Sequence, residues 1–183
     1  MGEAVSRTTV RSAIQTYLQG KSQSGNGAIS SLSTVYGFPP KLTKEGDFFA
    51  DDDPGTQSGA VIYLYIEHEV RKGIELRGAP AGGKLVDYTF ILNCYFRSMK
   101  QKAEDAGADN ETFLDSLVTA IELDKTAGAP GVIFHWGEGS GTWRGPDIEI
   151  TSYYPRPLSS SAGVMQVYSE VRVHVVEQIA NGS

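Results

Sequence analysis

The residues of this chain most able to bind a metal ion are its three histidines. His68 stands between Glu67 and Glu69, while His135 and His174 fall in other segments that alternate like strands. Zinc is held by His and carboxylate side chains gathered around one ion. On a regular strand, however, both glutamates would point away from the face that carries His68. The pattern therefore predicts exposed or edge-strand histidines and no metal site.

Two polar loops contain residue types that bind ions or phosphate in other proteins. The acidic run at 51–53 lacks the alternate spacing and distal glutamate of a calcium loop, and Pro54 and Gly55 interrupt it. The glycine-rich run at 137–141 is followed by neither Lys-Ser, Lys-Thr nor a predicted helix, which a phosphate-binding loop requires. Ser140 does not fit the Gly-x-Ser-x-Gly pattern of a hydrolase nucleophile. A solvated turn and a hairpin tip are the predictions.

Asp87 and Cys94 are the remaining candidates for acid–base or thiol chemistry. Asp87 has no second carboxylate beside it, as paired acid–base catalysis needs, and a cross-strand ion pair with Arg77 or Lys84 is the ordinary explanation. Cys94 is the only cysteine, so a disulfide framework is excluded and a buried free thiol is predicted. The sequence predicts no catalytic residue and no cofactor.

Both residues belong to the longest alternating segment of the chain, KLVDYTFILNCYFR at 84–97. Its even positions from Val86 to Phe96 are apolar and predict a face packed in the core. About fourteen residues at about 3.4 Å each reach about 47 Å, which exceeds the diameter of about 40 Å expected for such a domain. The odd positions mix polar and apolar side chains, namely Asp87, Thr89, Ile91, Asn93, Tyr95 and Arg97. We expect this second face to be partly covered by a helix or by another copy of the chain.

Hydrophobic periodicity predicts two helices and several further strands. One helix lies near the N-terminus and ends by Gly20, and a second covers 110–124 with Asn110 as its cap. Strands are predicted at 29–35, 60–70, 74–77, 132–136, 147–154 and 165–179. Gly73 separates two of these segments, which together pair with 84–97 as an antiparallel ribbon. The predicted fold is α+β, with a mostly antiparallel mixed sheet, a long β-ribbon and two α-helices packed on one face.

The chain length of 183 residues favours one domain, here taken as 1–183. Loops at 20–28 and 41–59 are predicted to be flexible or to contact other subunits. The second loop contains the adjacent pair Phe48 and Phe49. These rings are expected to dock either on a neighbouring subunit or on their own domain, and both alternatives stay open.

Composition excludes several classes of protein. The formal net charge is −6 and the pI is about 5.1, which argues against a surface that wraps nucleic acid through clustered basic residues. No run approaches the roughly eighteen apolar residues of a membrane span. The sequence has no charged region followed by an apolar core at its N-terminus. A soluble globular protein without membrane contact is expected.

An ordered set of segments resembles the tail terminator proteins of long-tailed, siphovirus-type phages. The segments are EHEVRKGIELRG, GGKLVDYTFILNCYFRS, the helix ending in Leu123-Asp124-Lys125, VIFHWGEG and DIEITSYYPRP. The resemblance covers about residues 8–179, is closest to terminators of actinobacteriophages, and is sharpest at VDYT and GEG. The loops at 21–27 and 41–59 depart from the family pattern.

This resemblance implies a non-enzymatic virion protein of the tail and neck, assembled in the host cytoplasm. Such proteins form a ring, usually hexameric, that caps the tail tube, stops its polymerisation and meets the head–tail connector. Genomic DNA passes through the lumen without sequence-specific binding. The implied partners are therefore other copies of the chain, the tail tube protein and the connector or stopper protein.

Intersubunit contacts are hypothesised for the ribbon at 60–97 and the loop at 41–59. The candidate interface residues are Phe48, Phe49, Tyr63, Tyr65, Arg77, Asp87, Tyr95 and Arg97. The alternatives are another neck protein, such as a stopper or connector ring, and the tail tube protein. A small-molecule enzyme is a further alternative, but it needs a pocket with convergent polar groups, and the sequence predicts none.

Overall fold

A computed structural model describes residues 7–39, 58–74, 83–100, 102–123, 134–136, 148–153, 156–157 and 164–180. Two helices and seven strands follow one another along this part of the chain. In order, they are α1 Arg7–Lys21, β1 Leu32–Tyr36, β2 Gly59–Ile74, β3 Gly83–Ser98, α2 Ala103–Leu123, β4 Phe134–Trp136, β5 Ile148–Ser152, β6 Arg156–Pro157 and β7 Met165–Ala180. The predicted α+β class is confirmed.

Three strands of sixteen residues each, β2, β3 and β7, form the centre of the sheet. β3 lies in the middle and is antiparallel to both neighbours. At about 3.4 Å per residue each strand reaches about 54 Å. Alternation that is unbroken in β3 and β7, together with β-branched or aromatic residues in all three, favours such long strands. The predicted long strand and ribbon are confirmed.

Shorter strands complete the two sides of the sheet. β1 pairs with β2 in parallel, which makes the sheet mixed. Along the other side of β7, three antiparallel strands follow one another: β4 opposite 175–177, β5 opposite 169–173 and β6 opposite 165–166. The strand neighbouring β7 is thus built in three pieces. Together the three pieces pair with β7 at several points along its length.

The core lies between the sheet and the two helices. Alternate residues of β3, from Val86 to Phe96, join the buried residues of both helices in one hydrophobic cluster. The rings of Phe96 and Phe113 lie 5.8 Å apart between their centroids. The Tyr17 hydroxyl of α1 donates a hydrogen bond to the Ala120 carbonyl of α2 at 2.5 Å. We call this side of the sheet the helix face, and its opposite side the outer face.

A β-bulge interrupts the alternation of β2. Ile66 pairs with Phe90 and His68 pairs with Thr89, so Glu67 is an extra residue with no place in the ladder. Before the bulge, the even-numbered residues of β2 lie on the helix face; after it, the odd-numbered residue Glu69 does. Such an insertion changes the phase of a strand by one residue.

The predicted start of the second helix is wrong. α2 begins at Ala103, two turns before Asn110, and Glu104 and Asp105 lie in its first turn. Carboxylates there interact favourably with the helix dipole, and the alanines favour helix strongly enough to offset Gly107. Asn110 is therefore an interior residue, only 2% exposed, rather than a cap.

Two strand boundaries also differ from the predictions. Gly73 does not divide the ribbon, because it pairs with Lys84 within a continuous ladder. The strand predicted from residue 29 begins instead at Leu32, whose N–H donates to the Ile29 carbonyl in a turn. The prediction for Cys94 is confirmed: it is a free cysteine, completely buried, and burial raises the pKa of its thiol.

Neither helix in the described part of the chain combines the length and apolar character needed to cross a membrane.

Two leucines on α2 provide a matched test of the core. Leu117 is completely buried, whereas Leu123 is 79% exposed. Alanine is a strong helix former, so Leu117→Ala should destabilise the protein mainly by creating a cavity, at a cost of about 2–5 kcal/mol. Leu123→Ala should change the free energy of unfolding by less than about 0.5 kcal/mol. Urea unfolding followed by circular dichroism measures both, and equal effects would contradict the packing described.

Candidate interaction surface

The outer face is formed by residues whose register places them opposite the helix face. In β3 these are the odd residues from Asp87 to Arg97, and in β7 the even residues paired with them. In the described part of the chain, both helices lie on the other side of the sheet. Nevertheless Thr89, Ile91 and Asn93 are buried. Large side chains on the flanking strands, among them Tyr168 and Arg172, lie over this part of the face.

A row of tyrosines crosses the outer face. Tyr63 of β2 stacks on Tyr95 of β3 with ring centroids 5.8 Å apart. Tyr95 contacts Tyr168 of β7 at 4.9 Å, and Tyr168 stacks on Tyr153, which follows β5, at 5.1 Å. Tyr95 and Tyr168 are direct cross-strand partners, a position in which aromatic pairs stabilise a sheet. We call these four residues the tyrosine row.

Hydrogen bonds fix the middle of the tyrosine row. The Tyr168 hydroxyl lies 2.6 Å from Oδ1 of Asn93 and 2.7 Å from Oε1 of Glu170, both of which can accept its proton. Burial, followed by the hydrogen bond to the Glu170 carboxylate, raises the pKa of Tyr168. Burial and then a hydrogen bond with Tyr63 raise the pKa of Tyr95. Tyr95 and Tyr168, whose pKa values are raised, are therefore neutral near pH 7.

A guanidinium–carboxylate triad crosses the same face. Arg172 of β7 donates two hydrogen bonds to Glu67, from Nε at 3.0 Å and Nη2 at 2.9 Å, and a third from Nη1 to Glu149 at 2.8 Å. This fork matches carboxylate geometry. Hydrogen bonds to Glu67 and then to Glu149 raise the pKa of Arg172. Since Ile91 pairs with Arg172 across the ladder and Glu67 lies on β2, the bridge extends past Ile91 and helps to shield it.

The bulge overturns the argument that both glutamates point away from His68. Glu67 reaches Arg172 on the outer face, where His68 also lies because it pairs with Thr89. Only Glu69 is on the helix face, where it forms ion pairs with Arg7 of α1 and with Arg71. Within the described residues, no three His, Cys, Asp or Glu side chains are grouped so that they could hold a metal ion.

Five of the predicted interface residues lie on the outer face by register, and four of them are at least partly exposed. Tyr63 and Tyr95 belong to the tyrosine row, Tyr65 lies beside them and is 52% exposed, and Asp87 is half-buried farther along β3. Arg97 differs, because it is completely buried within its own chain and leaves no surface for a neighbour to contact.

Other predicted interface residues lie outside the described part of the chain, namely Phe48, Phe49 and Arg77. Conversely, the outer face also contains four residues that were not predicted as interface residues, namely Glu149, Tyr153, Tyr168 and Arg172. The alternating patterns that contain these residues are visible in the sequence. Which of the side chains contact one another depends on how β5 and β7 pair in the sheet.

Comparison of the chain with models of known protein families finds no match. A comparison with curated protein sequences finds no significant match either. The outer face must therefore be interpreted from its own geometry.

Replacing the Tyr168 hydroxyl tests the hydrogen bonds of the row. Tyr168→Phe keeps the ring but removes the hydroxyl that donates to Asn93 and Glu170, and should lower the free energy of unfolding by about 1 kcal/mol at pH 7. Tyr153→Phe is the matched control, because no hydrogen bond of its hydroxyl occurs among the described residues. Its effect should stay within about 0.5 kcal/mol.

The same pair of variants has an expected pH dependence. The folded-state pKa of Tyr168 is raised, so the stability that its neutral form contributes is complete below the unfolded pKa of about 10. It is lost as the pH rises from there towards the folded-state value. The stability difference between wild type and Tyr168→Phe should therefore shrink above about pH 10. Urea unfolding at pH 7 and above pH 10 measures this, and a difference that grows with pH contradicts it.

Proposed function

We propose that this protein is a tail terminator of a long-tailed phage. In this role it is a structural, non-enzymatic virion protein that forms a hexameric ring at the end of the tail tube. The ring stops tube polymerisation and joins the tail to the head–tail connector. Support comes from the ordered segments that resemble this family, and from a sheet face suited to contact with neighbouring subunits.

The main structural support for the proposal is the set of side chains on the outer face. It combines tyrosines with an arginine, the residue types enriched where protein interfaces are most buried. The Tyr168 hydrogen bonds and the Arg172 ion pairs already hold these side chains in place. Association then loses little side-chain entropy, because the groups are ordered before a partner arrives.

The negative charge of the chain is consistent with a ring around DNA. With a formal net charge of −6, the protein repels the phosphate backbone rather than binding it. A lumen built from such subunits lets genomic DNA pass without holding it. The proposed partners are other copies of this chain, the tail tube protein and the connector or stopper, and the proposed location is the virion neck.

Within this proposal, Tyr63, Tyr65, Asp87 and Tyr95 face a neighbouring subunit. The loop at 41–59, with Phe48 and Phe49, is assigned to the same kind of contact as a prediction from the sequence. Arg97 is omitted because it is buried in its own chain.

Imaging of the purified protein tests the assembly. We expect closed rings with six-fold symmetry in negative stain, and one matching mass by mass photometry. Added to polymerising tail tube protein, the rings should cap the tubes and fix their length. Rings that do not bind the tube indicate a stopper or connector, and extended tubes indicate the tube protein. A protein that is monomeric under all conditions contradicts the proposal.

A matched pair of exposed aromatic residues tests the contact face. Tyr65 on the outer face is 52% exposed, and Phe38, which follows β1 and lies under the Arg11 guanidinium, is 60% exposed. Tyr65→Ala should weaken ring assembly by about tenfold or more, as expected for an interface tyrosine. Phe38→Ala should assemble like wild type. Mass photometry over a dilution series gives both dissociation constants, and equal behaviour would remove Tyr65 from the interface.

A further inference from the structure

A groove lies between the first turns of α2 and the neighbouring strands β5 and β7. Its volume is about 580 Å³, within the range of about 300–1,000 Å³ that is usual for small-molecule sites. Much of its lining is small or apolar. These residues are Ala103, Gly107, Ala108 and Val167, and Ser152 and Tyr153 line the groove beside them. Such walls suit the aliphatic part of a ligand.

Two carboxylates line the groove at different points along α2. Glu104 and Glu111 both belong to its lining, and both are exposed. Because they are seven residues apart, they lie on the same side of the helix, about 10 Å from each other along its axis. Neither forms an ion pair within the described residues, and Lys102, just before the helix, does not line the groove. The groove therefore presents two separate negative charges beside apolar surface.

A buried amide indicates that a hydrogen-bond donor belongs in this groove. Asn110 lines the groove and is only 2% exposed. Its Nδ2 donates to Oγ of Ser169 at 3.1 Å, and the Ser169 hydroxyl in turn donates to Oγ of Ser152 at 3.1 Å. Ser169 is thus the acceptor for Asn110, which leaves Oδ1 of Asn110 without a hydrogen-bond partner among the described residues. Buried polar groups normally have a partner, and a donor bound in the groove can supply one.

These features define the charge of the ligand that the groove suits. An ammonium group has hydrogen-bond donors and no acceptor, so it matches both the carboxylates and the amide oxygen of Asn110. Tyr153, which is 44% exposed, adds an aromatic ring to the same lining, and cations are attracted to the faces of such rings. A phosphate or carboxylate ligand would instead be repelled by Glu104 and Glu111.

We propose that the groove between α2 and β5 binds an aliphatic diammonium cation, the chemistry of the polyamines. One ammonium group pairs with Glu111 and donates to Oδ1 of Asn110. The other pairs with Glu104, and the methylene chain between them lies along Ala108 and Val167. Glu111 is the stronger anchor, because the positive end of the helix dipole opposes a cation at the first turn and weakens beyond it. The site lies within one chain and does not depend on ring assembly.

Three amines of matched structure test the ligand. The α,ω-diamine of octane has two ammonium groups far enough apart to reach both carboxylates, and the diamine of butane has the same charge on a shorter chain. Octylamine keeps the long chain with a single ammonium group. Isothermal titration calorimetry of the purified full-length protein should give one site for the octane diamine. The other two amines should bind at least about tenfold more weakly, since each loses a charge-assisted contact.

Neutral replacements of the two glutamates test the anchors. Glu111→Gln should weaken binding of the octane diamine by about tenfold, because it removes a charge-assisted contact beside a buried acceptor. Glu104→Gln should weaken it by about threefold, as is usual for an exposed ion pair. Asp115→Asn is the matched control, because it removes the same charge from an exposed position of α2 that does not line the groove. Its affinity should equal that of wild type.

A change of shape without a change of charge tests the location. Ala108 is exposed and lines the groove, and both alanine and leucine favour helix. Ala108→Leu should therefore preserve the fold while its side chain occupies the groove, and should weaken binding of the octane diamine by about tenfold or more. Circular dichroism and the urea midpoint establish that every variant is folded.

The outcomes separate a shaped site from general attraction to an acidic protein. The expected order of amines, together with weaker binding by Glu111→Gln and Ala108→Leu, supports the site. Octylamine that binds as tightly as the octane diamine overturns the diammonium ligand. Equal weakening by Asp115→Asn, or an Ala108→Leu variant that binds like wild type, overturns the location, and absence of binding to wild type overturns the proposal altogether. Rings seen in negative stain would stand in every one of these cases.

Discussion

The pairing of β3 on both of its edges is the constraint on which the rest of the fold depends. β3 forms ladders with β2 and β7 over nearly its whole length, so its register fixes theirs. A slip of one residue would move Phe90 and Leu92 from the core to the outer face. Burial of the helix face therefore selects one register. That register then decides which side chains meet on the outer face, including Tyr95 with Tyr168 and Ile91 with Arg172.

The parts of the fold that depend on local alternation, and the ribbon between two neighbouring strands, could be predicted from the sequence, whereas the other strand pairings could not. β3 and β7 were predicted to within a residue or two, because their patterns are long and unbroken. The start of α2 was missed, since Gly107 and the surrounding charges resemble a loop. The bulge at Glu67 has no local signal, because it is defined only by the two ladders on either side of it. Tyr63 and Tyr95 were predicted because they lie on the ribbon, whose two strands are neighbours in the sequence. Tyr168 and Arg172 were not, because they lie on β7, whose pairing with β3 is not visible in the sequence.

The two sides of the sheet are built from short strands, and this affects how copies of the protein can associate. β1 has five residues, and the strands on the far side of β7 form three separate pieces. Short strands discourage the addition of further strands from another molecule where they cover the sheet, whereas β2 beyond Tyr63 has no paired strand on that side among the described residues. One face of the sheet is occupied by the helices. The outer face is the broad surface that the described sheet offers for contact.

The extra residue at Glu67 shifts the alternation of β2 by one residue, so that odd and even positions exchange faces beyond it. Before Glu67, the even-numbered residues of β2 face the core. After it, the odd-numbered Glu69 lies on the same face and pairs with Arg7 of α1. Each half keeps its own period, but the two halves are out of phase. The sequence of a protein that has the same ribbon without the bulge would align with β2 on both sides of Glu67 only if a one-residue gap were placed there.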